Sequence, residues 1–220
     1  MKVLAVNGSP HKNGVTFTAL KLVADELAVA GIETNFVHVG AVPLAGCTDC
    51  LICRKSGTSR CVINDMVNDA IALLNECDGI LLGAPTYFCG IPGPAKTFLD
   101  RFFYASQMTR AMHFKAGASV TALRRSGGVT ALHQLNNYLM PSHIVMVPSQ
   151  YHNGLFGKSP AEALMDEEGV QTLKMLGRNM AWLMNSLKYA KDAYPPPVFE
   201  ERIRTNFPGN RTENYQEGTR

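Results

Sequence analysis

The sequence predicts an α/β fold, an open, doubly wound sheet of five parallel strands in the order 2-1-3-4-5, and three observations carry that prediction. Short apolar runs, mostly rich in Val, Ile and Leu, recur at Lys2 to Val6, Glu33 to Val39, Gly79 to Gly83, Ala116 to Ala122 and Ile144 to Val147. Continuous runs of this kind belong to parallel strands covered on both faces, whereas half-exposed strands alternate. Helical patterns fill the intervals between them, and no internal repeat or low-complexity segment interrupts the alternation.

Each helix carries its own signals. Thr16 to Ala30 ends at Gly31, suited to the left-handed residue after a helix. Asp65 to Cys77 opens on an acidic cap, and Pro94 to Tyr104 begins with proline in the first turn, where it is tolerated. Gly128 to Leu139 follows. A long final helix, Pro160 to Ala190, places Leu164, Leu173, Leu176, Met180, Leu183 and Leu187 at helical spacing, a core stripe. These elements predict one domain over residues 1–192, with a cysteine-rich loop at 40–64 after the second strand. Residues 193–220 read as an extended tail. Pro195-Pro196-Pro197 fixes an extended segment, and Val198, Phe199, Ile203 and Phe207 favour an arm on a neighbouring subunit over a free end.

Composition narrows the function. The chain has 220 residues, 46% apolar and 18% charged, enough for one sizeable core. A net charge of +3 with scattered basic residues argues against nucleic acid. No apolar run reaches membrane-spanning length. The apolar start, Met1 to Val6, stops at Asn7-Gly8-Ser9-Pro10, too short for a secretory signal. The expected location is cytoplasmic, where thiols stay reduced.

That matters because Cys47, Cys50, Cys53 and Cys61 are spaced C-x2-C-x2-C-x7-C. Four thiolates so placed can converge on one soft metal centre, the ligand logic of a cubane iron–sulfur cluster. Zinc also accepts four thiolates, although its usual spacing is two C-x2-C pairs, and a loop of reduced thiols without metal is the third reading. Cys77 reads as a core thiol, and His113, His133, His143 and His152 have no ligand spacing.

Three loops point to a phosphate and a flat ring. Gly8 to Thr16 joins the first strand to the first helix, offering free backbone N–H groups and a positive dipole end to an anion. Ser9 and Thr16 add hydroxyls, and His11, Lys12 and Asn13 further donors. The loop is neither G-x-G-x-x-G nor G-x-x-x-x-G-K-[ST], which disfavours dinucleotides and Mg-nucleotides and suits a phosphate monoester such as that of FMN. After the third strand, Pro85-Thr86-Tyr87-Phe88-Cys89-Gly90 lies at a carboxyl edge, where such sheets bind ligands. Leu123-Arg124-Arg125-Ser126-Gly127-Gly128 follows the fourth strand; its glycines permit close approach, and an Arg there places positive charge near a flavin.

Together these residues resemble the NAD(P)H-dependent FMN reductase superfamily of flavodoxin-fold proteins, and within it the iron–sulfur flavoproteins. The matching stretches are Val6-Asn7-Gly8-Ser9-Pro10 with Thr16, Gly46-Cys47 and its cluster, Asp65-Met66, and Pro85-Thr86-Tyr87-Phe88. Lys96-Phe98-Asp100-Arg101, the Arg-Ser-Gly-Gly stretch and Thr205-Asn206-Phe207 match as well. Val15 stands where the family often has Asn. The resemblance implies a flavodoxin-like three-layer sandwich with FMN at the sheet edge. Ser9, His11 and Thr16 would hold the phosphate, with Asn13 counted beside them as a loop donor; Pro85, Thr86, Tyr87, Phe88 and Gly90 would contact the ring, with Arg124, Gly127 and Gly128 on its other side. It implies a [4Fe-4S] centre on the four cysteines beside a subunit interface, in a homodimer or homotetramer.

The expected function is FMN-dependent electron transfer from NAD(P)H or ferredoxin to a small-molecule or protein acceptor, with no protein acid or base in the hydride step. The alternatives are a cluster-free NAD(P)H:FMN or quinone oxidoreductase, a non-enzymatic flavodoxin-like electron carrier, and a zinc-stapled interaction element.

Overall fold

In the structure, a computed structural model that describes residues 1–200, strands β1 (Lys2–Asn7), β2 (Glu33–His38), β3 (Gly79–Pro85), β4 (Ala116–Leu123) and β5 (Val145–Met146) form a parallel sheet in the order β2-β1-β3-β4-β5. The tail from residue 201 onward, with Ile203, Thr205-Asn206-Phe207, lies outside the described residues.

Strand alternation decides which side chain meets which layer. Val3, Ala5, Leu81, Ala118 and Val120 face one core with helices α1 (Val15–Val29) and, at the end of the chain, α7 (Glu167–Ala190). Leu4, Val6, Ile80, Leu82 and Ala84 face the other, with α3 (Met66–Asn75), α4 (Gly93–Ser106) and α5 (Gly128–Leu139). Burial on both sides is why β1, β3 and β4 read as unbroken apolar runs. On α4, Phe98 and Phe102 are fully buried and stack at 5.3 Å.

Four expectations change. β2 is not a buried strand: it is the sheet edge, where Glu33 and Phe36 are exposed and its polar residues remain half in water. The fifth strand is split. β5 pairs with Ala116 and Gly117 at the start of β4, and a sixth segment, β6 (Gly154–Phe156), pairs with Thr121–Leu123 at its end. Between them Asn153 fills the gap, its Nδ2 donating to Ser119 O at 3.0 Å while its carbonyl accepts from Thr121 N. The final helix breaks after α6 (Pro160–Ala163), because Asp166 serves as the cap of α7, its Oδ1 accepting from Gly169 N at 3.0 Å. Its Oδ2 accepts from Phe156 N at 2.9 Å and ties β6 to that helix start. Finally, the cysteine loop contains a short helix, α2 (Ile52–Ser56).

The tail begins docked on its own chain. The Phe199 ring lies 5.1 Å from that of His113 and 5.5 Å from that of His143, with the Arg110 guanidinium 3.7 Å from its centroid. No helix among the described residues is long and apolar enough to cross a membrane.

Because one carboxylate answers both the α7 terminus and an edge-strand N–H, Asp166→Ala is expected to lower stability by about 1–2 kcal/mol in chemical denaturation.

Candidate functional site

Parallel strands bring the loops after β1, β3 and β4 to one edge of the sheet. The first is organised by Asn7, a buried residue that closes it from both sides: Oδ1 accepts from Ser9 N at 3.1 Å and Nδ2 donates to Lys12 O at 3.0 Å. Ser9 is buried, its Oγ accepting from His11 N at 3.1 Å and its carbonyl pairing with His38 Nε2 at 2.7 Å. Gly40, after β2, presses on this turn so closely that a Cβ there would lie 2.1 Å from Ser9 O. α1 then starts at Gly14 with no side-chain cap and no acidic residue in its first turn. Thr16 Oγ1 is buried with no hydrogen-bond partner among the described residues. Bare helix N–H groups and an orphaned hydroxyl are what an anion would complete. Of the candidate phosphate contacts, Ser9 and Thr16 lie inside this turn, and His11 and Asn13 stand exposed at its tip.

The second loop is a two-residue hairpin. Tyr87 N donates to Gly90 O at 2.8 Å and Gly90 N to Tyr87 O at 2.9 Å. Phe88 and Cys89 both have positive φ, 48° and 61°, the geometry of a type I′ turn built without glycine. Such backbone strain concentrates at ligand sites. Here it turns the Phe88 ring fully into solvent, and Tyr87 is half-exposed. Thr86 Oγ1 is 3.0 Å from Thr121 Oγ1 and Thr86 N donates to Ala122 O at 2.8 Å, fixing the root of the loop behind Pro85 on β4. The third loop meets it at Gly127, whose φ is +84° and where a Cβ would lie 2.7 Å from Cys89 Sγ. Gly128 is buried, while Arg124 lies exposed on the rim. The second and third loops therefore meet at Cys89 and Gly127.

The cysteine loop folds over α4. Cys47, Cys50, Cys53 and Cys61 all line one cavity of about 20 Å³, room for little more than one water. Burial pushes the Cys53 thiol up, and the neighbouring Cys61, Cys50 and Cys47 add to it, outweighing a backbone hydrogen bond. Among the described residues no three His, Cys, Asp or Glu side chains stand in metal-holding geometry. Four thiols suit a soft metal as a donor set, and the four residues share one cavity without being arranged as ligands.

Beneath them lies Arg101, 2% exposed. Its Nη1 donates to Asp65 Oδ2 at 2.6 Å and Ala45 O at 3.2 Å; its Nη2 donates to Asp65 Oδ1 at 3.0 Å, Ile63 O at 3.1 Å and Cys61 Sγ at 3.3 Å. Its Nε donates to the same sulfur at 3.4 Å. Buried Asn68 fixes the Cys61 backbone, accepting from its N at 2.8 Å and donating to its carbonyl at 3.1 Å. Further along α4, Tyr104 OH accepts from Arg54 Nη1 at 3.4 Å, and the Ser59 and Thr109 hydroxyls pair at 2.7 Å. Sequence reading assigned no role to Asn7, Asn68 or Arg101, and to Asp65 only the helix cap that it does form at α3. The available signal for Arg101 was a charge set between Leu99 and Phe102 in the apolar stripe of α4.

A family described as NADPH-dependent FMN reductase matches residues 1–156. An iron-sulfur flavoprotein of Methanocaldococcus jannaschii is 30% identical over 198 residues, covering 86% of this chain and all of that one. The chain belongs to this FMN reductase family, in its iron–sulfur flavoprotein branch. Solved structures place this family member's fold. RosB, solved with an 8-demethyl-8-formylriboflavin-5'-phosphate intermediate, superposes with a TM-score of 0.68 at 15% identity over 100% of this chain and 98% of its own. A flavodoxin from the domain Archaea gives 0.57 at 16% identity, covering 84% and 99%. The fold is flavodoxin-like, and the family makes the protein an FMN-dependent oxidoreductase.

Two outcomes follow from this geometry. Thr16→Val removes a hydroxyl that the apo fold leaves unsatisfied, so FMN affinity in a fluorescence titration should fall about tenfold, about 1.4 kcal/mol, while the apo protein melts no earlier. For Asp65, burial pushes the carboxyl up, but the Arg101 hydrogen bonds, the Val67 N–H and the Arg101 charge together hold it below the usual range. A depressed carboxylate stabilises the fold above its unfolded pKa, and that stability is lost as pH falls through the folded value. Denaturation midpoints should therefore drop below about pH 4, and less so in Asp65→Asn.

Proposed function

We propose that this FMN-dependent oxidoreductase passes electrons between NAD(P)H or ferredoxin and a small-molecule or protein acceptor, with a [4Fe-4S] cluster on Cys47, Cys50, Cys53 and Cys61 beside the flavin. The observation that carries the reading is that four cysteine residues line one cavity against α4, the helix that starts directly after the Pro85–Gly90 loop. Bound FMN supplies hydride acceptance and the return of electrons singly or in pairs, and a thiolate-held cluster supplies one-electron steps.

The chain's residues bind and orient. Ser9 and Thr16 would offer hydroxyls, and the start of α1 N–H groups, to the phosphate, with His11 and Asn13 as further donors. Pro85, Thr86, Tyr87, Phe88 and Gly90 would contact the ring from one side, and Arg124, Gly127 and Gly128 from the other. Arg124 brings positive charge to that edge. No protein group is needed to move a proton in hydride transfer. Residues 1–192 act as the FMN-binding domain and 193–220 as an arm in a homodimer or homotetramer, for which the Phe199 seat against His113 and His143 gives a fixed point of departure.

A cluster-free NAD(P)H:FMN reductase is favoured by one observation, the small cavity between the thiols. Iron separates the two. Protein purified without oxygen should show flavin bands, a broad shoulder near 400 nm and about four irons per chain. Cys53→Ser should lose the iron and keep the flavin. Flavin bands without iron in the unaltered protein would establish the cluster-free enzyme.

A further inference from the structure

We infer that Arg101 is the positioning residue of the cysteine centre: its buried fork holds the Cys61 sulfur and, through two N–H···S hydrogen bonds, raises the potential at which a cluster on that sulfur accepts an electron. The inference rests on the [4Fe-4S] reading above.

A buried guanidinium kept only for structure needs partners for its N–H groups, and Asp65 with the Ala45 and Ile63 carbonyls already engages both terminal nitrogens. Nε has one partner in the structure, Cys61 Sγ at 3.4 Å, and Nη2 reaches the same atom at 3.3 Å. Two of the three guanidine nitrogens thus converge on one sulfur, and the bidentate Asp65 pair prevents the fork from turning away. Asn68 holds the backbone of the same cysteine from both sides. Cys61 is fixed at backbone and sulfur alike, whereas Cys47 and Cys50 are exposed. It is the thiol on which the other three would close.

Charge gives the sign. One electron enters the centre and no bond is made or broken, so the reduced form carries one more negative charge. A cation and two donors fixed at a ligand sulfur, out of water, favour that form. Lysine keeps the charge and can still pair with Asp65, but it cannot direct two N–H groups to a sulfur while bonding two carbonyls.

The experiment uses flavin-loaded, anaerobically prepared full-length protein with iron counted first. In Arg101→Lys, a dithionite titration followed by EPR should show one-electron reduction of the cluster about tenfold less favourable, a potential lower by about 59 mV. The flavin potential in the same sample should not move, and a chelator should extract iron several-fold faster. In unaltered protein with 15N-labelled arginine, pulsed EPR of the reduced cluster should show an arginine nitrogen coupling, a result independent of any variant's folding. An unmoved cluster potential in iron-loaded Arg101→Lys, or no arginine coupling, overturns the inference alone. Unaltered protein with FMN and no iron overturns the cluster reading and this inference with it.

Discussion

A guanidinium taken out of water must have its N–H groups answered, and Arg101 brings that demand into the apolar stripe of α4. Its answers come from Ala45, Cys61, Ile63 and Asp65, all on the segment between β2 and α3. A stretch with only one short helix is thereby drawn across the helix and held. The same carboxylate that pairs with Arg101 caps α3 through Val67 N at 3.1 Å, so the return of the chain to regular structure is set by the same charge. Where the cysteines lie follows from where that charge is buried.

α4 serves two neighbourhoods with different faces. Its first turn follows the strained hairpin at Phe88 and Cys89, which Gln134 on α5 steadies by accepting from Ile91 N at 2.9 Å. Two and three turns later Arg101 and Tyr104 meet the cysteine loop, and Thr109 beyond the helix meets Ser59. A rigid rod of 14 residues, anchored by Phe98 and Phe102 in the core, fixes the separation between the ring patch and the thiols. Neither neighbourhood can shift without the other's support moving.

What the sequence made legible was local. β1, β3 and β4 were readable because parallel strands buried on both faces have no polar alternation, and the turn at Gly8 to Thr16 because its donors are consecutive. The C-x2-C-x2-C-x7-C spacing indicated that thiols would gather. Arg101 was readable only as part of a resemblance, because its partners lie 36 to 56 residues away and no periodicity encodes them. Asn7 and Asn68 escaped for a different reason: their partners are local, but each is defined by the turn of backbone it bridges, which no periodicity encodes. β6 is three residues long, made a strand by its pairing with β4, and the break before α7 depends on one Asp facing two ways. β2 was misjudged because its neighbours' burial was extended to an edge.

On the proposed phosphate role of Thr16, its orphaned hydroxyl links the stability of the fold to bound FMN. A buried polar atom without a partner is a standing penalty on the empty chain, of the order of 1–3 kcal/mol, and a ligand that satisfies it removes the penalty on binding. Binding to the folded state alone then shifts the unfolding equilibrium in proportion to ligand supply. On that reading the flavin-free chain opens more often than the loaded one, and open chains are the ones proteases reach.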